Sequence, residues 1–317
     1  MRRRNGKGKG RKEMKKHHLF LAIAVLLTAL LASCTNTHVF EDGYYFQAMG
    51  EEAEIVVTVD TQKARVARPS ILGVDDSLLT SLLDKSTRVS VSLSKDEYSE
   101  DDPYPADISS MNVSGAVEGD YSKFMINTGL GFSKEFSKVK EDGVKFYTDK
   151  ENSIEVASPA SGVILFTNDS YPELYDRTIK NRVINISAEK AALIGESVMG
   201  LYVRSPRTMI QLGFEIPLTV IVQMSDAVMY VVEKEGVFYL NADITMKSDS
   251  LAKTLNTLLR NQVVAEIKRN GGKPDFKVLG QQYMEDGDRV LIRDREMSES
   301  DLQAFEAQIK LASGSLI

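Results

Sequence analysis

The chain of 317 residues has one cysteine, three histidines and no tryptophan. The cysteine is Cys34 and the histidines are His17, His18 and His38, so Val39 to Ile317 contains neither a thiol nor an imidazole. That stretch cannot form an intramolecular disulfide, a Cys/His zinc site, a cysteine nucleophile or a Ser-His-Asp triad, because each needs a side chain it lacks. Charged residues at 26% and hydrophobic residues at 43% argue against disorder and against a polytopic membrane protein. The length suits one large domain or two modest ones.

What is present begins at the N-terminus. A basic stretch, Met1 to His18, precedes an apolar run from Leu19 to Leu31, and then come Ala32, Ser33 and Cys34. The run of thirteen residues fits the apolar region of a signal peptide, whereas a membrane span needs about 20. Leu31-Ala32-Ser33-Cys34 resembles the lipobox of bacterial lipoproteins. The resemblance implies cleavage between Ser33 and Cys34, acylation of Cys34, and a mature chain that begins there. Met14 to His18 alone would make a conventional basic region, so Met14 is an alternative start to Met1.

Removing residues 1–33 takes away nine of the 39 Lys and Arg and one of the 45 Asp and Glu, which leaves 30 against 44 and a net charge of −14. A body this acidic suits neither nucleic acid nor broad electrostatic attachment to anionic lipid. Attachment falls to the acyl chains on Cys34, and two or more chains are needed for stable anchoring. Thr35 stands where an aspartate would favour inner-membrane retention in enteric bacteria, so by that resemblance the expected place is the outer membrane, facing the periplasm.

Residues 34–53 show no sustained period and are expected to be a tether, with the folded body starting near Glu54. Glu54–Asp60, Thr87–Ser94 and Asn112–Gly119 have the composition of strands, and Asp75–Ser77 can cap a short helix carrying Leu78, Leu79, Leu82 and Leu83. Lys95–Ser110, with six acids and two prolines, is an exposed loop; its acids match no EF-hand spacing. Tyr121–Val139 has a helical period that puts Tyr121, Phe124, Met125, Phe132, Phe136 and Val139 on one side, interrupted by Gly129 and Gly131. Strands are expected at Val144–Thr148, Ser153–Ala157 and Gly162–Thr167, and a helix at Tyr171–Arg182.

A second series starts with a helix from Ala188 to Gly200 capped by Ser187, then a strand at Thr208–Phe214 and a hairpin of Leu218–Val232 with Gly236–Met246. Asp249–Arg269 is a helix with Leu251, Leu255, Leu258, Leu259, Val263 and Ile267 in a stripe, ended by Gly271-Gly272. Phe276–Gly280 and Arg289–Arg293 read as strands, and a last helix is capped by Ser298 with Asp301 and buried through Leu302, Phe305 and Ile309. Residues 112–157 and 236–293 share the order strand, helix, strand, strand. The expected class is α/β (α+β): two similar halves, 54–183 and 184–317, each a mostly antiparallel sheet packed with amphipathic helices.

Catalytic motifs are weak. Ser-x-x-Lys occurs at Ser92, Ser137, Ser187 and Ser250 without the companion motifs of Ser/Lys enzymes, Gly129-Leu-Gly131 lacks the third glycine of a dinucleotide loop, and Asp286-Gly-Asp288 is a hairpin turn signal. The expectation is therefore no enzyme, no catalytic residue, no metal and no cofactor. The candidate functional feature is the apolar face of two helices: Tyr121, Phe124, Met125, Phe132, Phe136 and Val139 in the first, and Leu251, Leu255, Leu258 and Leu259 in the second. Either face can pack as ordinary core, or swing out to line an apolar cavity or enter a membrane surface.

Three segments together, Leu31–Cys34, Val113–Gly119 leading into the Phe-rich helix, and Val156–Phe166, make the chain resemble the spirochaetal outer-membrane-associated lipoproteins. The resemblance implies two α/β halves with membrane-sensing amphipathic helices, no enzymatic activity, and a place on the inner leaflet of the outer membrane. The expected partners are membrane lipid through the Cys34 acyl chains and a lipid or other apolar ligand, with no nucleic acid. The alternative is a scaffold lipoprotein that meets a protein through the acidic loop around Asp101-Asp102.

Overall fold

Strand β1 (Ile55–Asp60) is a β-branched run that pairs antiparallel on both sides, with β2 (Ser86–Ser94) and with β8 (Met199–Val203). In the computed structural model the described residues are 43–49, 55–67, 82–94, 111–149, 153–204 and 217–303. From β2 the sheet continues through β3 (Asn112–Gly119), β7 (Val163–Thr167), β6 (Glu155–Ala160) and β5 (Val144–Asp149) to an edge strand, β4 (Phe136–Glu141). From β8 it continues through β9 (Met224–Lys234), β10 (Val237–Met246) and β12 (Arg289–Glu296) to β11 (Tyr283–Asp286). Among the described residues the result is a mixed α/β protein with a 12-stranded antiparallel sheet. The β1–β8 pair carries that sheet across the boundary expected between residues 183 and 184.

Both faces are covered, which suits the near-continuous apolar runs of β1 and β8. Ile55 joins Leu93, Val113, Leu201 and Met229 in one core, while its neighbour Val56 joins Ala116, Tyr202 and Val228 in another. The strands are flanked by α1 (Thr61–Ala67), α2 (Lys123–Phe132), α3 (Tyr171–Tyr175, continued by a π-turn at Asp176–Lys180), α4 (Ala188–Gly195), α5 (Leu218–Ile221), α6 (Asp249–Arg269) and α7 (Phe276–Gln282). Helix α6 covers the first core through Ala252 and Leu255; α3 and α4 cover the second through Tyr171, Leu174, Ala191 and Ile194.

Several expected elements change. The helix expected over Tyr121–Val139 ends at Phe132, where Ser133 turns extended, and Phe136 and Val139 lie on β4. An Asp142-Gly143 turn, with φ of 47° and 81°, folds β4 back on β5, and the ladder so formed outweighs a helical period weakened by two glycines. The helix from Ala188 stops at Gly195, and Met199–Val203 becomes β8, buried on both faces and so without the alternation that marks a strand. Leu218–Ile221 is helical before β9 begins. Phe276–Gly280 is part of α7, because the Asp275 carboxylate caps it by accepting from the amides of Lys277 (2.9 Å) and Val278 (3.2 Å).

The stretch expected as a tether is also partly packed. Tyr45–Ala48 forms a buried 3₁₀ turn, in which Gln47 Nε2 donates to the Ile186 carbonyl (3.0 Å) and the Gln47 carbonyl accepts from the Asn185 amide (2.8 Å). Tyr44 stacks on Phe46 with ring centroids 4.9 Å apart. Cys34 and the lipobox, most of the Leu78–Leu83 helix, the acidic loop, Thr208–Phe214, Phe305 and Ile309 lie outside the described residues.

Candidate functional site

Helix α2 buries none of its residues. Its outer side carries Phe124 at 72% exposure, Met125 at 39% and Phe132 at 85%. Phe124 and Phe132 stand two turns apart, at a spacing of eight, and so share a face with Thr128 between them. The inner side carries Ile126 and Leu130, both half-buried.

The helix is fastened to the sheet by polar bonds. Asn127 binds Ser158 of β6 twice: its Nδ2 donates to the Ser158 carbonyl (2.9 Å) and its Oδ1 accepts from the Ser158 amide (3.0 Å). Lys123 Nζ donates to the Pro159 carbonyl (2.7 Å). Just ahead of the helix, Tyr121 is buried and its hydroxyl donates to the Leu82 carbonyl (2.6 Å). Burial pushes that hydroxyl up to about 12. Tyr121 therefore anchors the segment and does not belong to the exposed face.

Local stability of α2 is poor. Ser122 makes no capping bond, the first turn has no acid and the last turn has no base. Gly129 and Gly131 each cost about 1 kcal/mol relative to alanine. A Cβ on Gly129 would meet nothing within 4 Å, so no packing contact calls for glycine there. Gly131 faces the Tyr147 ring, where a Cβ would lie 3.4 Å away.

Between α2 and the β4–β5 hairpin lies a groove of about 670 Å³, lined among others by Phe124, Thr128, Phe132, Lys138, Tyr147 and Ser161. It lies on the Tyr147 side of the hairpin. Phe146, on the opposite side of the same strand, is buried and stacks on Tyr171 of α3 with centroids 5.4 Å apart. The period of two in a strand separates these neighbours.

Of the ten apolar residues expected to form the site, the structure leaves Phe124, Met125 and Phe132 exposed together on α2. Phe136 and Val139 are half-buried on β4 and pack against the second core. In α6, Leu251, Leu255 and Leu259 pack against the first core and only Leu258 shows outward, at 38%. The polar residues that line the groove beside these rings, Asn127, Lys138 and Tyr147, escape a search for apolar spacing. Among the described residues no cluster of three or more carboxylate, histidine or cysteine side chains could hold a metal ion.

No protein-family model and no curated protein matches the chain. Among solved structures the chain is similar to TP0453, a treponemal outer-membrane-associated lipoprotein. Crystal form IV of that protein superposes with a TM-score of 0.55 at 13% identity, over 84% of this chain and 98% of TP0453. Crystal form I gives 0.51 at 13% identity, over 83% and 96%. At such identity the likeness speaks for the fold: this chain has a large antiparallel sheet with flanking helices, arranged as in TP0453.

Proposed function

We propose that the protein is a non-enzymatic lipoprotein, acylated at Cys34 and held at the periplasmic face of the outer membrane, where α2 beds into the bilayer surface. The observation that carries this reading is that a folded helix keeps two phenylalanines and a methionine in water while polar bonds hold it in place. Moving a fully exposed phenylalanine from water to an apolar medium is worth about 1.5–3 kcal/mol. Two such side chains and Met125 bind a membrane only weakly by themselves, and an acyl anchor removes most of the cost of bringing them there.

Among the described residues no helix is long and apolar enough to cross a membrane. Helix α2, with ten residues, is about 15 Å long, suited to lying in the interface. Eight residues separate Cys34 from Gly43, and fully extended they reach no further than about 30 Å. A lipid-bound cysteine would thus keep the body within reach of the bilayer. The fold likeness to a lipoprotein and the lipobox-like Leu31–Cys34 support the same reading.

Acylation is tested by metabolic labelling with a palmitate analogue: label on the wild type and none on Cys34→Ala is expected, and an unlabelled wild type would remove the anchor. Insertion is tested with Phe124→Asp/Phe132→Asp. Because both side chains are exposed, the double variant should keep its thermal transition and lose penetration of vesicles; unchanged penetration would sink the role of α2.

A further inference from the structure

The hairpin beside α2 carries an electrostatic arrangement that packing does not account for. In the β4–β5 register Lys138 stands opposite Tyr147 and Lys140 stands opposite Lys145. Alternation places Lys138, Lys140, Lys145 and Tyr147 on one face, the face that walls the groove. All three lysines are exposed, and no side chain of the three makes a hydrogen bond or ion pair with another described residue. Like charges directly opposite each other weaken a strand pair. The ladder carries the Lys140–Lys145 pair despite that penalty, in a chain whose expected mature net charge is −14.

The acids of the hairpin do not relieve the pair. Glu141 lies on the other face, Asp142 is in the turn, and Asp149 is opposite Phe136 at the far end of the ladder. Glu135 precedes β4. This edge of the protein therefore has two exposed aromatic rings on the helix and three ammonium groups on the hairpin, of which Lys138 lines the groove itself, an apolar element next to a cationic one.

Resting on the proposed insertion of α2, we infer that this hairpin face docks against an anionic bilayer, with Lys138, Lys140 and Lys145 meeting lipid phosphates while Phe124 and Phe132 enter the acyl region. The partner is a membrane surface rich in acidic phospholipid. The net acidity of the rest of the body opposes approach by its other faces, so the patch also sets orientation. Each lysine near such a surface contributes roughly a fivefold gain in partition, the equivalent of about 1 kcal/mol.

The absence of tryptophan allows a clean test. Acylated full-length mature protein carrying Phe132→Trp is reconstituted into phosphatidylcholine vesicles with and without phosphatidylglycerol, and quenching by brominated lipid is read. Quenching should be several-fold greater with phosphatidylglycerol and should fall with added salt. Lys140→Glu should abolish that gain, by roughly tenfold or more in partition, through the worth of one charge removed and one added. This exchange creates an opposite-charge pair with Lys145, so it does not put the hairpin at risk. Equal quenching in both vesicles would overturn the anionic preference and leave the insertion of α2 standing. No quenching in either would overturn the insertion itself and the inference with it. Inorganic phosphate in solution that suppresses the gain at constant ionic strength would show a phosphate-binding site and overturn the assignment to a lipid surface.

Discussion

Helices α2 and α6 each follow a strand and precede a hairpin, α6 with the short α7 in between, yet they are built in opposite ways. Ser248 caps α6 by accepting from the Leu251 amide, Asp249 sits in its first turn, and Lys268 and Arg269 lie in its last. These features satisfy the end groups and oppose the helix dipole. Helix α2 has none of them and carries two glycines. The packing differs in the same sense: α6 rests on β10, β11 and β12 through Leu251, Leu255 and Leu259, whereas α2 is held by Asn127 and Lys123 with its phenylalanines outward. Topology explains part of this. In the second half β12 pairs directly with β10, so the helix between them is drawn onto a complete surface. In the first, β3 pairs with β7, and β4–β5 returns only at the sheet's edge through β6. A helix whose ends and interior are weak, and which packs on the edge strands mainly through Leu130 while its phenylalanines face outward, is one that can move at little cost to the rest of the fold.

The contrast is broken most strongly at Leu255, which is fully buried. Leu255→Ala should cost about 2–5 kcal/mol in urea unfolding, while Phe132→Ala should stay within about 0.5 kcal/mol; equal losses would mean that α2 is core after all.

A second difference concerns buried carboxylates. Asp243 on β10 is raised by desolvation but faces Arg289 Nη1 at 3.3 Å through Oδ2. Glu118 on β3 is raised to about 7 by burial that the Arg88 guanidinium only partly offsets, and its Oε1 has no hydrogen-bond partner among the described residues. The folded protein holds that proton up to about pH 7 and the unfolded chain releases it near 4.5. The stabilisation from Glu118 is thus complete below pH 4.5 and is lost as pH rises through 7. Glu118→Gln should remove this decline and raise stability at pH 8 by about 2–3 kcal/mol. Thermal melts between about pH 4 and pH 8 read it, and an unchanged slope would discard the assignment.

Asn127→Ala removes both bonds to Ser158 and should cost about 1–2 kcal/mol. The loss should appear as faster hydrogen exchange confined to α2, with α6 unaffected; loosening across the sheet would contradict a helix fastened locally. A smaller effect of opposite sign is expected at Gly129→Ala, which should stabilise α2 by about 0.5–1 kcal/mol. Combined with Phe132→Trp, it should also reduce quenching by brominated vesicles if α2 must rearrange to insert. A stabilised helix that inserts equally well would show that α2 enters the bilayer as it stands.

Local chemistry made much of the fold legible. Ser187 caps α4 by accepting from Lys190, and Ser298 and Asp301 exchange amide bonds at 2.9 and 3.1 Å as a capping box. Asn112–Gly119 and Asp249–Arg269 have the bounds that their composition suggests. The segments that depart from their local pattern share one cause. Phe132, Phe136 and Val139 are spaced four and three apart, which suits a helix, and nothing local opposes that period except the glycines and the Asp142-Gly143 turn. Phe276–Gly280 looks extended until Asp275 is recognised as its cap. In the candidate site, the apolar residues could be found by their spacing, but Lys138 and Tyr147 come from a hairpin whose Asp142-Gly143 turn is masked by the helical period of Tyr121–Val139.

The sequence alone determines what chemistry the body lacks, where a lipid could be attached, and which segments are amphipathic, because these depend only on residue types and their near neighbours. It leaves equal standing to two apolar helices. Only the tertiary structure separates them, since whether a face is core or surface depends on which strand passes beneath it. The same pairing sets Lys140 against Lys145 and turns three scattered lysines into one patch. The register of that hairpin is fixed by its Asp142-Gly143 turn, but which of its faces meets α2 is decided by the packing of the whole sheet, and it is that packing that gives this acidic protein a cationic, aromatic edge.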